Sequence, residues 1–283
     1  MRVSIREITA KTGDLPSMPE LAIKVMRMLE DPNTNAKNLQ DTISNDQSMT
    51  LQILKIANSA LYGLKREVRT LSHAIMLLGF NSIRSIVLAS AAKNMYSSKT
   101  MGLKERLLWE KSIGCAMISR ILGSKFSDIN KEECFICGLM HNMGQTVLNQ
   151  KFPAEYDQII QESYMEGIPV EALEKRAFGF SHNELGGAIT EKWNLSENIS
   201  QVILFYLAPA MAPQPHRRLA SVVNVAHSFC ADLGVGVKEP VPVSFDFLRS
   251  SRDILDCPVE LLEEWKEELA GLLEENAGVF TEL

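Results

Sequence analysis

The sequence predicts an all-α protein: an N-terminal helical bundle packed on a second helical half, then a C-terminal helical extension. Three observations carry that expectation. Apolar residues recur at three- and four-residue steps through almost every segment, the period of a helix with one buried face. Side chains that cap helix N-termini punctuate the chain at short intervals. No stretch sustains the alternation of a half-buried strand, and there is no internal repeat or low-complexity segment. A length of 283 residues suits one large domain or two ordinary ones. A hydrophobic fraction of 46% is ample for a full core.

The helices follow in order. Ser17-Met-Pro-Glu20 has the form of a capping box, and Leu21, Val25, Met28 and Leu29 would share the inner face of the helix it starts. Asp31-Pro32-Asn33 ends that helix. Thr34 is placed to cap a second, with Leu39 and Ile43 inward. Asp46 is placed to cap a third, with Met49, Ile53, Ile56 and Ala60 inward and Tyr62-Gly63 as its stop. Thr70 opens a fourth through Leu71, Ile75 and Leu78, closed by Gly79. Asn81 is placed to cap a fifth, with Ile83, Ile86, Val87, Ser90 and Ala91 inside. Residues 97–102, SSKTMG, read as a joint. Further helices are expected at about 103–122, 131–150, 154–166, 169–177, 182–193, 197–207 and 217–233. Asn130 with Glu133 and Ser181 with Glu184 are start signals among them. Residues 234–250 are poorly patterned. A last helix then sets Leu261, Leu262, Trp265, Leu269 and Leu272 against a face rich in Glu. The resulting division is 1–100, 101–233 and 234–283.

Composition narrows the function. The formal charge of −6 and the pI of about 5.5 argue against nucleic acid held through a broad basic face and against a polybasic membrane patch. The opening MRVSIREITAKTGDLP lacks the apolar core of a signal peptide, and no uninterrupted apolar run reaches the roughly 18 residues of a membrane span. The expected location is the cytoplasm. Five cysteines, Cys115, Cys134, Cys137, Cys230 and Cys257, do not form a disulfide framework in a chain this long, and most are expected to be reduced and buried.

Polar residues on apolar faces mark where chemistry could lie. Lys111 falls in line with Leu107, Cys115, Ile118 and Leu122, so it is expected to be partly buried or to reach an edge. His141 shares a face with Cys134, Cys137, Gly144 and Leu148. His227 sits within the apolar run VVNVAHSFCADLG. Each alone reads best as a satisfied core group; together, in consecutive helices, they point to one shared polar pocket. Two other patterns have plain structural readings. Cys134-x-x-Cys137 lacks the second CxxC of a zinc site, and core thiols are commoner. LSHAIMLLGFNSIRSIVLA has the outline of a helix-turn-helix, but its second helix offers Arg84 and then turns apolar, as a core helix does.

From about Leu15 to Leu207 the chain resembles the HDOD domain, the HD-related output domain of bacterial signalling proteins. Five blocks carry the resemblance in order. They are DPNTNAKNLQDTISNDQSMTLQILKIANSALYG, LSHAIMLLGFNSIRSIVLA, LWEKSIGCA, GLMHNMGQTVL and FGFSHNELGGAITEKWNL. The resemblance implies an HD-like fold for the second half, related to metal-dependent phosphohydrolases whose ligands are histidines and aspartates. Carried over by position, the first ligand histidine falls on Lys111. The His-Asp step falls on His141 and Asn142, and a later histidine is kept as His182. A histidine pair before proline falls on Tyr206 and Leu207 ahead of Pro209, and the final aspartate falls near His227.

No carboxylate remains at those positions. An asparagine amide is a far weaker partner for a hard cation than a carboxylate, and a protonated lysine cannot coordinate at all. The expectation is therefore a degenerate centre with no catalytic residue, no metal and no cofactor. The protein would act as a signalling or regulatory module through a protein partner or a small ligand in the remnant pocket. The alternative is a phosphohydrolase with an altered ligand set, His141, His182 and His227, because imidazole suits zinc and related ions.

Overall fold

The computed structural model describes residues 4–5, 18–59, 62–64, 66–96 and 102–275. Ser17, Ala60 and most of the 97–102 joint lie outside the described residues, as does nearly all of the N-terminal segment read for a signal peptide. The described residues contain helices, turns and loops and no strand.

Among the described residues the N-terminal bundle consists of α1 (Glu20–Glu30), α2 (Ala36–Ser44), α3 (Gln47–Ala57) and α4 (Leu71–Tyr96). The deepest residues of α1 are Ala22, Val25 and Met26, so its inner face is turned slightly from the expected Leu21–Met28 line. Asn35, not Thr34, caps α2: its side chain accepts the Asn38 N–H at 2.9 Å. Thr34 stands one residue too early and spends its own N–H on Asp31. Asp46 caps α3 by accepting the Met49 N–H at 2.9 Å, and Met49, Ile53 and Ile56 are buried. Thr70 Oγ1 accepts the His73 N–H at the start of α4. Gly79, at φ 76° and ψ 171°, is non-helical and divides Leu71–Tyr96 into two helical stretches, as the sequence predicts. Beyond the kink Ile83, Ile86, Val87, Leu88 and Ala91 are buried, as in a core helix. Leu71–Lys93 is long and apolar enough to cross a membrane, yet 61% of its most apolar stretch is buried inside the protein.

The second half begins with α5 (Leu103–Gly123), which packs closely on α6 (Lys131–Met140) and on α12 (Arg217–Asp232). The single helix expected at 131–150 is two, because the chain breaks at His141-Asn142 before α7 (Met143–Lys151). Asn142 has φ −103° and ψ 14°, outside helical geometry. Helices α8 (Pro153–Glu166), α9 (Val170–Phe178), α10 (His182–Lys192) and α11 (Glu197–Phe205) follow. Asn130 caps α6 by accepting the Glu132 N–H. At the start of α10 the Glu184 carboxylate accepts both the Ser181 N–H, at 2.7 Å, and its hydroxyl, at 2.8 Å.

The poorly patterned stretch leads to a short helix, α13 (Arg249–Leu255), and then α14 (Val259–Glu275). Leu262, Trp265 and Leu269 are its buried positions. Trp265 meets Phe126 edge-on at 5.8 Å, Lys266 pairs with Asp232 at 2.8 Å and Lys125 pairs with Glu268. The extension is thereby tied to the second half. One continuous hydrophobic core runs from Met18 to Leu269. All five cysteines are unpaired and buried.

A polar joint links the bundle to the second half. The Arg120 guanidinium donates to the buried Glu132 carboxylate at 3.0 Å, and Ser82 of α4 donates to the same oxygen at 3.2 Å. The guanidinium also lies 4.4 Å from the centre of the Tyr62 ring. Burial, then the Glu132 charge, pushes the Tyr62 phenol far up, so it stays protonated.

Candidate functional site

Helix ends and one helix centre bring four rings together. His141 closes α6, His182 is the first residue of α10, Tyr206 closes α11 and His227 lies within α12. Tyr206 has no accessible surface, and its ring centre lies 5.4 Å from His141, 5.4 Å from His227 and 6.3 Å from His182. His141 and His227 are 5.2 Å apart, edge to face. The close approach of α7 to the start of α10 depends on Gly144, since a Cβ there would run into the His182 carbonyl.

The His182 side of this group is fully hydrogen-bonded. Glu174 of α9 has no accessible surface, and one of its oxygens accepts from His182 Nδ1 at 2.6 Å and from the His182 N–H at 2.7 Å. Its other oxygen accepts from Tyr156 at 2.8 Å. In the neutral tautomer that donates from Nδ1, His182 Nε2 is the acceptor and takes the Tyr206 hydroxyl at 2.8 Å. Burial raises the Tyr206 phenol well above its ordinary value, which keeps that proton in place.

The other side is under-satisfied. His141 Nδ1 faces the Gly138 carbonyl at 2.6 Å, and its Nε2 has no partner at hydrogen-bond distance. The ring acts, however, on the buried Cys115, whose thiol is held well below its usual value, against burial, by Cys230 and then His141. His227 Nδ1 is buried without a hydrogen-bond partner. Burial, then Lys111, His141 and His182, hold the His227 imidazole well below its usual value, so it is neutral. Burial also lowers Lys111, opposed by Cys230, Cys115 and Glu171. Among the described residues no hydrogen bond or ion pair reaches the Lys111 ammonium. Burial raises Cys134 and Cys137, which are protonated core thiols.

Asn142 is committed elsewhere. Its Oδ1 accepts from Ser112 at 2.5 Å and its Nδ2 donates to the Leu108 carbonyl at 2.8 Å, both on α5. An aspartate could accept from Ser112, but it would set an oxygen against the Leu108 oxygen. The amide is therefore suited to this place in a way a carboxylate is not.

These residues do not fit a metal centre of the phosphohydrolase kind. Zinc and its neighbours need several lone pairs converging on one point at roughly 2.0–2.3 Å. The His182 lone pair is directed at Tyr206, Asn142 is turned to α5, and Lys111 is a cation. No group of three His, Cys, Asp or Glu among the described residues is arranged to hold a metal ion.

Sequence reasoning named Lys111, His141, Asn142, His182, Tyr206 and His227. The structure gathers the four rings, with Lys111 close enough to act on His227 and Asn142 adjoining on α5. It missed Glu174 and Tyr156. Glu174 left a trace: it falls on the apolar face of α9 beside Leu173 and Phe178, the same anomaly that marked Lys111. Tyr156 reads as a core residue, and its partner lies 18 positions away.

The HDOD domain profile matches residues 15–209. An uncharacterised protein of Treponema pallidum (strain Nichols) is 24% identical over 221 residues, covering 78% of this chain and 43% of that protein. The Bacillus subtilis protein YuxH is 28% identical over 139 residues, covering 49% and 32%. The chain thus spans less than half the length of these curated relatives. Among crystal structures, an HDOD domain protein of unknown function from Geobacter sulfurreducens superposes with a TM-score of 0.82 at 23% identity, covering 98% of this chain and 96% of that one. A Shewanella amazonensis protein provisionally named a phosphohydrolase gives 0.74 at 24%, covering 94% and 93%. At such identities these two likenesses establish the fold.

Proposed function

The chain belongs to the HDOD domain family, and from that premise we propose that it is a non-catalytic signalling module that works in the cytoplasm by binding. The observation that carries this reading is the Glu174–His182–Tyr206 chain. The one histidine that a phosphohydrolase centre would keep on α10 has both ring nitrogens engaged, at 2.6 and 2.8 Å. The Glu174 carboxylate, which could orient a metal-bound histidine, here orients one bonded to a phenol. Hydrolysis of a phosphodiester by such a centre needs a metal with an open coordination position, and the ligand positions hold an ammonium, an amide and a phenol instead.

A protein of this kind must present different surfaces in two states. The Tyr62–Ser82–Arg120–Glu132 joint is suited to that, because it links the bundle to the half that holds the ring cluster, and Glu132 Oε2 is buried without a partner. The bundle also leaves Leu51, Met76 and Leu77 exposed, which suits contact with a protein partner.

The test is turnover. Wild-type protein and a Lys111→His/Asn142→Asp/Tyr206→His variant are assayed on bis(p-nitrophenyl) phosphate with Mn, Fe, Co, Ni and Zn. Neither should show metal-dependent hydrolysis, since Asn142→Asp sets a carboxylate against Leu108 and no aspartate stands at His227. Hydrolysis by wild type that is lost in His141→Ala would replace this reading with the altered phosphohydrolase.

A further inference from the structure

Beside the ring cluster, between α5, α8 and the 234–241 loop, lies a cavity of about 670 Å³, within the range of small-molecule sites. Its wall is largely apolar, with Leu107, Leu108, Ile160, Val170 and Val241 among its residues, and Leu103, Tyr164 and Met165 stand exposed about it. Lys111 and Gln145 supply polar groups to its lining. The loop is seated directly on the lysine. Gly236, at φ +66°, lies so close that a Cβ would collide with the Lys111 backbone and Cβ. Lys111 has no ion-pair or hydrogen-bond partner among the described residues; the groups that act on it at longer range are Cys230, then Cys115, then the Glu171 carboxylate.

An unpaired cation in apolar surroundings is costly. A protein that keeps one in the wall of an open cavity is short of a counter-charge that a ligand can bring. We propose that this cavity binds a small amphipathic monocarboxylate, its carboxylate on the Lys111 ammonium and its single apolar chain or ring against the α5 and α8 walls. Gln145 supplies an amide donor for the second carboxylate oxygen. The charge pattern sets the ligand at one negative charge. Glu105, Asp157, Glu239 and the exposed Lys238 also line the cavity, and Asp157 is paired with Lys104 at 2.5 Å. A polyphosphate or dinucleotide would find no surplus of positive charge, because three ammonium groups share the lining with three carboxylates. Tyr156 lines the same cavity and donates to Glu174, so an occupant touches the hydrogen-bond chain that ends on Tyr206.

This inference rests on the binding role proposed above but is separable from it, because metal content and phosphodiester turnover are read without any carboxylate. The experiment is calorimetric titration of the whole chain with octanoate, 1-octanol and acetate. Octanoate should bind once per chain, at least about tenfold more tightly than octanol, and acetate should give no saturable signal. Lys111→Met should erase the preference, leaving octanol bound as well as octanoate. Ile160→Trp, which fills the apolar wall and leaves the lysine in place, should block octanoate. Equal binding of octanoate and octanol to the wild type, undiminished octanoate binding in Lys111→Met, or no saturable octanoate binding would overturn the proposal.

Discussion

Two polar regions lie side by side in the second half, and they are built in opposite ways. Around His182 every buried group is matched: Glu174 takes three donors and Tyr206 closes the chain. Around Lys111, His141 and His227 the groups lack partners or are held in their uncharged forms. A matched buried network fixes structure, whereas an unmatched one costs stability and is retained where something else completes it. The ring cluster thus has a fully hydrogen-bonded side at His182 and an under-bonded side at His141 and His227.

The hydrogen-bonded side should show the largest effect. Glu174→Ala strands two N–H groups and the Tyr156 hydroxyl, and by analogy with other buried polar partners removed singly it should cost about 3–5 kcal/mol in urea unfolding. A loss below about 1 kcal/mol, the worth of an ordinary hydrogen bond, would mean the chain carries little of the stability. Tyr206→Phe removes the hydroxyl and leaves His182 Nε2 without its donor, at about 1–3 kcal/mol. Asn142→Asp should fall at the lower end of that same range, through the Leu108 carbonyl.

The unmatched side should respond with the opposite sign. Lys111 has its native pKa below its unfolded value of 10.5. The unfolded chain therefore binds the proton more readily, and the lysine opposes folding at neutral pH. Lys111→Met should raise the unfolding midpoint at pH 7, and the gain should shrink as pH rises towards 10.5. A Lys111→Met protein less stable than the wild type at pH 7 would show that the ammonium has a partner. His227 behaves alike at lower pH. Its depressed native value means that stability falls as pH drops below the ordinary imidazole value of 6.5. His227→Leu should flatten that fall, and an unchanged pH profile would remove His227 as its source.

The contrast also marks what the sequence could carry. Helix positions were legible because caps and apolar stripes are local: Asp46, Thr70 and Asn130 start helices as their side chains suggest. The break at His141-Asn142 was not, because Asn142 is held by Ser112 and Leu108, 30 and 34 residues away. The expected separate helices on either side of Gly79 are there, because a glycine at φ 76° interrupts the helix locally. The six site positions could be named from motif order, but the partition between the bonded and under-bonded sides could not. It depends on Glu174 and Gly236, which no motif contains, and on distances between helices that local periodicity does not encode.

Metal stoichiometry tests the central claim most directly. The whole chain is incubated with Mn, Fe, Co, Ni and Zn in turn, desalted, and analysed by elemental mass spectrometry. With His182 bonded to Tyr206 and no carboxylate at the ligand positions, each metal should remain well below one equivalent per chain. One tightly held equivalent that disappears in His141→Ala and His182→Ala would contradict the account and return the ring cluster to metal chemistry.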